Sequence, residues 1–267
     1  ITAETALRVG RAVAQFFESE ERRTIVIGRD TRISGSMLEA ALAAGVCSMG
    51  LEVVQAGIVP TPAVAFMTVA SRAAAGIVVS ASHNPYSDNG IKVFGPDGFK
   101  LSEQTEEDLE ELIFSETSED VAEEIRETGY VTPVTDIDTR YQAFLREALG
   151  EGTNLEGLKL AVDCANGATY RAAPELLREL GARVEALCAY PDGKNINAGC
   201  GSQHPEAVAK KVKETGADAG LAFDGDGDRL IAVDGGGEVL TGDQVLAICA
   251  RHMQETGQLK NNTVVST

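Results

Sequence analysis

Strand-like and helix-like segments alternate along almost the whole chain, twice over, and this rhythm restricts the fold more than any other feature. In the first round, Thr24–Ile27 reads as a buried β-branched strand, Met37–Met49 as an alanine-rich helix and Leu51–Val54 as a second strand. Thr61–Ala70 reads as a short helix behind Pro60, and Gly76–Val79 and Gly90–Phe94 as further strands. Lys159–Asp163 opens the second round, followed by a helix near Ala172–Leu180, a strand at Val184–Ala189, a helix at Pro205–Glu214 and a strand at Ala219–Phe223. Such alternation predicts two consecutive layered α/β domains with mixed, largely parallel sheets. The expected division is 1–150 and 151–255, with the break near Gly150–Asn154, after the helix containing Tyr141–Leu149. Residues 256–267 are expected to open a third unit, because Asn262–Thr267 reads as the start of a strand. A chain of 267 residues is long enough to bury a substantial core in each of two domains.

The net charge of −18 argues against nonspecific binding to nucleic acid or to an anionic membrane. Twelve of the acids fall in residues 103–127 against one base, Arg126. Leu109, Leu112 and Ile113, and later Val121 and Ile125, mark narrow apolar stripes, so the segment predicts solvated helices with a solubilising face. No apolar run is long enough to span a bilayer. The start, Ile1-Thr-Ala-Glu4, lacks a basic region, a signal core and an initiator Met, so the chain is expected to begin inside a longer protein. The five cysteines are widely spaced, odd in number and without a C-x-x-C pair. Cys47, Cys164, Cys188 and Cys249 lie in apolar surroundings and read as reduced core residues, while Cys200, in a glycine-flanked loop, reads as more exposed. A cytoplasmic location is expected.

Two strand ends carry the chemistry. Asp224-Gly-Asp-Gly-Asp228-Arg229 follows the apolar run Ala219–Phe223. Glycines between the acids let the backbone turn so that three carboxylates face one point. Left bare they would repel and raise a pKa; a divalent cation removes that penalty, and oxygen-only ligands favour Mg²⁺, Mn²⁺ or Ca²⁺. The calcium-hand pattern fails, since Arg229 and Gly235 stand where Gly and Glu are required. An acidic surface turn is the structural alternative. The other strand end is Ser80-Ala-Ser82-His83-Asn84-Pro85, where a β-branched strand runs into a polar turn. Ser82 is a candidate nucleophile, but adjacent side chains usually diverge, so His83 is not taken as its base. The G-x-S-x-G elbow is not met either.

Together these motifs resemble the α-D-phosphohexomutase superfamily. Supporting segments are Gly28–Gly35, Pro60–Ala63, Asp88–Lys92, Asp163–Tyr170 and Asn195–Asn197. Within the superfamily they are most similar to the bacterial branch that interconverts glucosamine 6-phosphate and glucosamine 1-phosphate. The resemblance implies a phosphohexomutase-like fold and a phosphate carried on Ser82. It implies Mg²⁺ on Asp224, Asp226, Asp228 and the phosphoserine, with a hexose 1,6-bisphosphate as intermediate and activator. It implies that Lys92 aids proton transfer, that Arg29, Arg32, Asn84 and Arg229 bind phosphate or substrate, and that His83 orients the serine loop. It further implies four domains, of which this chain carries the first two and the opening of the third, so that the piece alone is expected to be inactive. The expected partner is a hexosamine or hexose phosphate. A homodimer is left open.

Competing readings also stay open: a phosphomannomutase or phosphoglucomutase, a non-catalytic sugar-phosphate or metal-binding module, and a metal-dependent phosphatase. Arg29 and Arg32 have the alternative of pairing with Asp30, Arg229 of pairing with the aspartates of its own loop, and Lys92 of being an exposed strand lysine. His204, ahead of Pro205, reads either as a residue near a cleft entrance or as a helix start. His252 reads as structural. Asp163 and Asn166-Gly167 read as a turn before a helix.

Overall fold

The computed structural model describes residues 1–115, 127–150 and 152–266. The first domain runs α1 (Ala3–Phe17), β1 (Thr24–Arg29), α2 (Gly35–Ser48), β2 (Glu52–Ile58), α3 (Thr61–Ala70), β3 (Ala75–Val79), β4 (Ile91–Phe94), α4 (Glu103–Phe114), β5 (Val131–Pro133) and α5 (Ile137–Leu149). The second runs β6 (Lys159–Asp163), α6 (Ala172–Glu179), β7 (Arg183–Leu187), α7 (Pro205–Thr215), β8 (Ala219–Phe223) and β9 (Leu230–Asp234); α8 (Gly242–Glu255) follows.

The first sheet has the order β4-β3-β1-β2-β5, parallel except for β4, which is antiparallel to β3. The second has the order β7-β6-β8-β9, parallel except for β9, which is antiparallel to β8. Strands buried on both faces explain the near-continuous apolar runs of the sequence. Ile25, Ile27, Ile77 and Val79 pack beneath α1 and α2, whereas Val26 and Val78 face α3 and α5 through Val64, Met67 and Tyr141. In the second domain Ala161 and Ala222 meet Val208 and Val212 of α7, while Leu160 and Val162 pack on the opposite face. Pro133 is tolerated because β5 is an edge strand and needs no outward donor.

Leu109, Leu112 and Ile113 of the acidic segment do form a stripe, on α4, against the first core. Val121 and Ile125 lie outside the described residues. Two expectations are corrected. Residues 263–266 are not a strand; a short 3₁₀ turn, Lys260–Asn262, precedes them. The cysteine assignment is partly reversed: Cys200 is buried and Cys249 exposed, because the Cys200 loop folds back onto the end of β6 while α8 buries no residue. Among the described residues no helix is long and apolar enough to cross a membrane.

Candidate active site

The two chemical loops occupy equivalent places. Each joins the last parallel strand of its sheet to the antiparallel edge strand: Ser80–Gly90 between β3 and β4, and Asp224–Arg229 between β8 and β9. The domains face each other so that these loops touch. Ser82 Oγ donates to Asp224 Oδ2 at 2.6 Å, across 142 residues of sequence.

The serine loop is held rigidly. Ser82 is buried, with a left-handed φ of 51°, a conformation costly for a serine and sustained only by surrounding contacts. Its N–H donates to Ser80 Oγ at 2.9 Å. Its carbonyl accepts from Arg32 Nη2 at 3.1 Å and from Asn197 Nδ2 at 2.9 Å. Ser80 Oγ in turn donates to Asp30 at 2.7 Å.

This network corrects the expectation for Arg32. Its guanidinium is fully buried, pairs with Asp30 at 2.8 Å, and spends its other donors on the carbonyls of Ser82, Asn84, Pro85 and Asp88. These contacts brace the serine loop. Arg29 differs: its Nε pairs at 2.9 Å with the buried Glu39 of α2, a partner ten residues away that the sequence reading did not weigh, while its side chain stays partly exposed. The Asn84 amide is occupied within the loop by Asp88 at 3.1 Å. His83 comes closer than adjacency suggests. Its Nδ1 lies 3.4 Å from Ser82 Oγ and 3.1 Å from Arg229 Nη1. An arginine only donates, so Nδ1 accepts and the ring proton sits on Nε2.

The aspartate loop brings Asp224, Asp226 and Asp228 together, with one oxygen of each within 4.8 Å of the others. Burial, together with the charges of Asp226 and Asp228, raises Asp224 to about 6 despite hydrogen bonds from Ser82 and the Arg229 N–H. Asp226 is 1% exposed; its Oδ2 accepts from Thr61 at 2.5 Å and Lys92 at 2.6 Å, while its Oδ1 is buried with no hydrogen-bond partner among the described residues. Three clustered carboxylates, one with a buried oxygen that no protein donor satisfies, make an all-oxygen donor set that fits a hard cation such as Mg²⁺. Lys92 Nζ also donates to Asp228 at 2.9 Å. Burial lowers the Lys92 pKa, but the two aspartates outweigh it and the net shift is upward. The condition for a lysine base, a lowered pKa, is therefore not met in this arrangement. The Arg229 side chain is 57% exposed and reaches Asp228 only at 3.9 Å.

The glycines of this loop serve different ends. Gly227 has a φ of +71°. Gly225 makes room instead: a Cβ there would lie 2.6 Å from the Ser82 carbonyl and 2.8 Å from Asn197 Nδ2.

Thr61, Ser80 and Asn197 were missed as individual site residues, although all three lie in segments that carried the resemblance. Their signal was a polar side chain beside a motif, and their partners lie more than a hundred residues away for Thr61 and Asn197. Elsewhere, His204 occupies the N-cap position of α7, without a side-chain cap bond, and contacts Glu206 at 3.0 Å, the helix-start alternative. His252 is exposed on α8.

Paired α/β domains that set a strained serine against a three-carboxylate loop define a phosphohexomutase-type protein. The chain belongs to the phosphoglucomutase/phosphomannomutase family: its α/β/α domain I matches residues 1–120 and domain II residues 139–237. Among curated relatives, it is 53% identical over 268 residues to "Phosphoglucosamine mutase" of Syntrophus aciditrophicus (strain SB), covering 100% of this chain and 60% of that protein. It is 50% identical over 268 residues to "Phosphoglucosamine mutase" of Geobacter sp. (strain M21), again over 100% of this chain and 59% of the relative. The chain thus spans about 60% of the length of these relatives. Its fold matches a phosphoglucomutase/phosphomannomutase family protein from Burkholderia thailandensis with a TM-score of 0.82 and 29% identity, over 96% of this chain and 56% of that one. It also matches the Paramecium phosphoglucomutase pp63/parafusin in its open form, at a TM-score of 0.69 over 94% of this chain and 52% of that one; at 15% identity this is a likeness of fold alone.

Proposed function

We propose that the chain forms the phosphoserine and metal-binding portion of a phosphoglucosamine mutase, acting on glucosamine 6-phosphate and glucosamine 1-phosphate. The carrying observation is the 2.6 Å contact between Ser82 Oγ and Asp224. Those motifs lie in a chain half-identical, over its whole length, to two phosphoglucosamine mutases.

Ser82 is the phosphoryl carrier. Its phosphate passes to a sugar monophosphate, and the other phosphate of the resulting bisphosphate returns to Ser82. Asp224, Asp226, Asp228 and a phosphoserine oxygen would hold Mg²⁺, which when bound offsets the negative charge developing on the transferred group. The backbone network around Ser82 fixes the direction of Oγ, so attack geometry is set before substrate arrives. Arg229, largely exposed beside the aspartate loop, supplies a planar cation to the phosphate. Each transfer moves one proton from the attacking hydroxyl to the leaving oxygen, and Lys92, an ammonium, would supply it where the sugar oxygen leaves in the return transfer. His83 and Arg32 hold the loop.

The test is peptide mass spectrometry of the full gene product, before and after incubation with a hexose 1,6-bisphosphate and Mg²⁺. One phosphate gained on Ser82, and lost in Asp226→Ala, supports the reading; phosphate on another residue, or none, sinks it. Steady release of inorganic phosphate would instead identify a phosphatase. Comparing glucosamine, glucose and mannose phosphates as substrates decides the sugar.

A further inference from the structure

The second domain holds a cluster of ligating groups that the site above does not use. Asp163 ends β6, Cys188 follows β7 and Cys200 precedes the 3₁₀ turn before α7. One oxygen of Asp163 and the two sulfurs lie within 4.8 Å of one another. Asp163 is fully buried, accepts N–H groups from Ala165 and Gly201 at 2.9 Å each, and has its pKa raised by burial. Neither cysteine is in a disulfide; Cys188 is half-buried and held at a left-handed φ of 46°, and Cys200 is buried.

A buried carboxylate facing two sulfurs is an awkward set for a core. As protonated thiols the sulfurs are only weak donors to it. As thiolates they are ligands. Two sulfurs and one oxygen suit a borderline-soft ion far better than Mg²⁺, and zinc accepts Cys sulfur at about 2.3 Å with Asp oxygen beside it. We propose that Asp163, Cys188 and Cys200 bind a thiophilic divalent cation of the zinc type, at a site separate from Asp224, Asp226 and Asp228. Binding releases the two thiol protons and transfers no electron.

The position gives the site a consequence. Cys188 and Cys200 bracket a segment whose inner residues grip the first domain. The Gly193 carbonyl accepts from Ile33 N–H at 2.9 Å, and Asn197 Nδ2 donates to the carbonyls of Ser82 and Asn84 at 2.9 and 3.0 Å. A cation joining both ends to β6 stiffens the segment that steadies the serine loop. This inference does not depend on the sugar or on the mutase chemistry.

Co²⁺ is the first probe, with the exposed Cys249 replaced by Ala to remove adventitious thiol binding. The expected result is one equivalent of Co²⁺ with a near-ultraviolet thiolate-to-metal charge-transfer band. That band persists in Asp224→Asn/Asp226→Asn and disappears in Cys188→Ser and in Cys200→Ser, each checked for folding by circular dichroism. Zinc-edge X-ray absorption on the Zn²⁺-loaded Cys249→Ala chain gives an independent readout that needs neither serine variant: two sulfurs at about 2.3 Å. An all-oxygen or single-sulfur shell, or a charge-transfer band that survives in folded Cys188→Ser, overturns the proposal.

Discussion

Two arginines separated by burial show what single residues contribute. Arg32 is enclosed and its donors are committed, so its role is to hold the serine loop. Asp30→Asn should leave that guanidinium without its counter-charge and cost about 3–5 kcal/mol of folding stability in denaturant titrations. Arg229→Ala, at a largely exposed side chain, should change stability by under about 0.5 kcal/mol while slowing phosphoryl transfer markedly. Equal stability losses in the two variants would contradict this division. Asp224 provides the pH dependence. Its pKa in the metal-free fold is raised to about 6, so between its ordinary value near 4 and about 6 the folded chain binds a proton that the unfolded chain does not. Its contribution to stability is therefore fully present below pH 4 and is lost as pH rises through 6. The same proton competes with metal, so apparent Mg²⁺ affinity should fall as pH drops below about 6, by up to about tenfold per unit for one displaced proton. Calorimetric titration at pH 5, 6 and 7.5 checks it; a flat profile would show that Asp224 does not hold the ion.

The loops at the antiparallel edges are the elements that build the candidate site. Both close a strand pair in which β4 or β9 turns back along the sheet. Their tips can meet because the backbones come into near contact at Gly225. Gly225→Ala should push the aspartate loop away from Ser82, with Mg²⁺-dependent phosphorylation of Ser82 reduced about a hundredfold or more; unchanged labelling would show that the loops have slack. The motifs were legible in the sequence because each lies in one continuous stretch, with an apolar strand before it and turn residues within it. The commitment of Arg32 was not legible. Two arginines in a polar loop read alike whether they face a phosphate or a carbonyl, and only the folded loop supplies the acceptors that capture Arg32. Lys92 was named, but not its grip on two aspartates more than 130 residues away.

At the scale of the molecule, the site exists only between domains. Hydrogen bonds from Thr31 to the Asn166 carbonyl at 2.6 Å, from Asn197 to the serine loop, and from Thr61 to Asp226 fasten one sheet to the other. Asn197 has a left-handed φ of 58°, so Asn197→Gly removes the amide without adding strain. This variant should stay folded, show faster hydrogen exchange in residues 80–90, and lose about tenfold in Ser82 phosphorylation, equivalent to about 1.4 kcal/mol. Normal exchange and normal labelling would mean that Asn197 is dispensable to the clamp.

The sequence by itself determined the layered α/β class, most helices and strands, and the two loops that carry the chemistry. Hydrophobic period, glycine and clustered acids are local properties, and they survive reading one residue after another. Only the tertiary structure decided which charges face the cleft and which are spent as braces, and that Cys200 is buried while Cys249 is not. It also revealed that the two halves repeat one design, with a chemical loop before an antiparallel edge strand, although no letter repeat marks it. The physical reason is the same in each case: burial and hydrogen-bond partnership are set by atoms distant along the chain, and a side chain's role follows from what surrounds it.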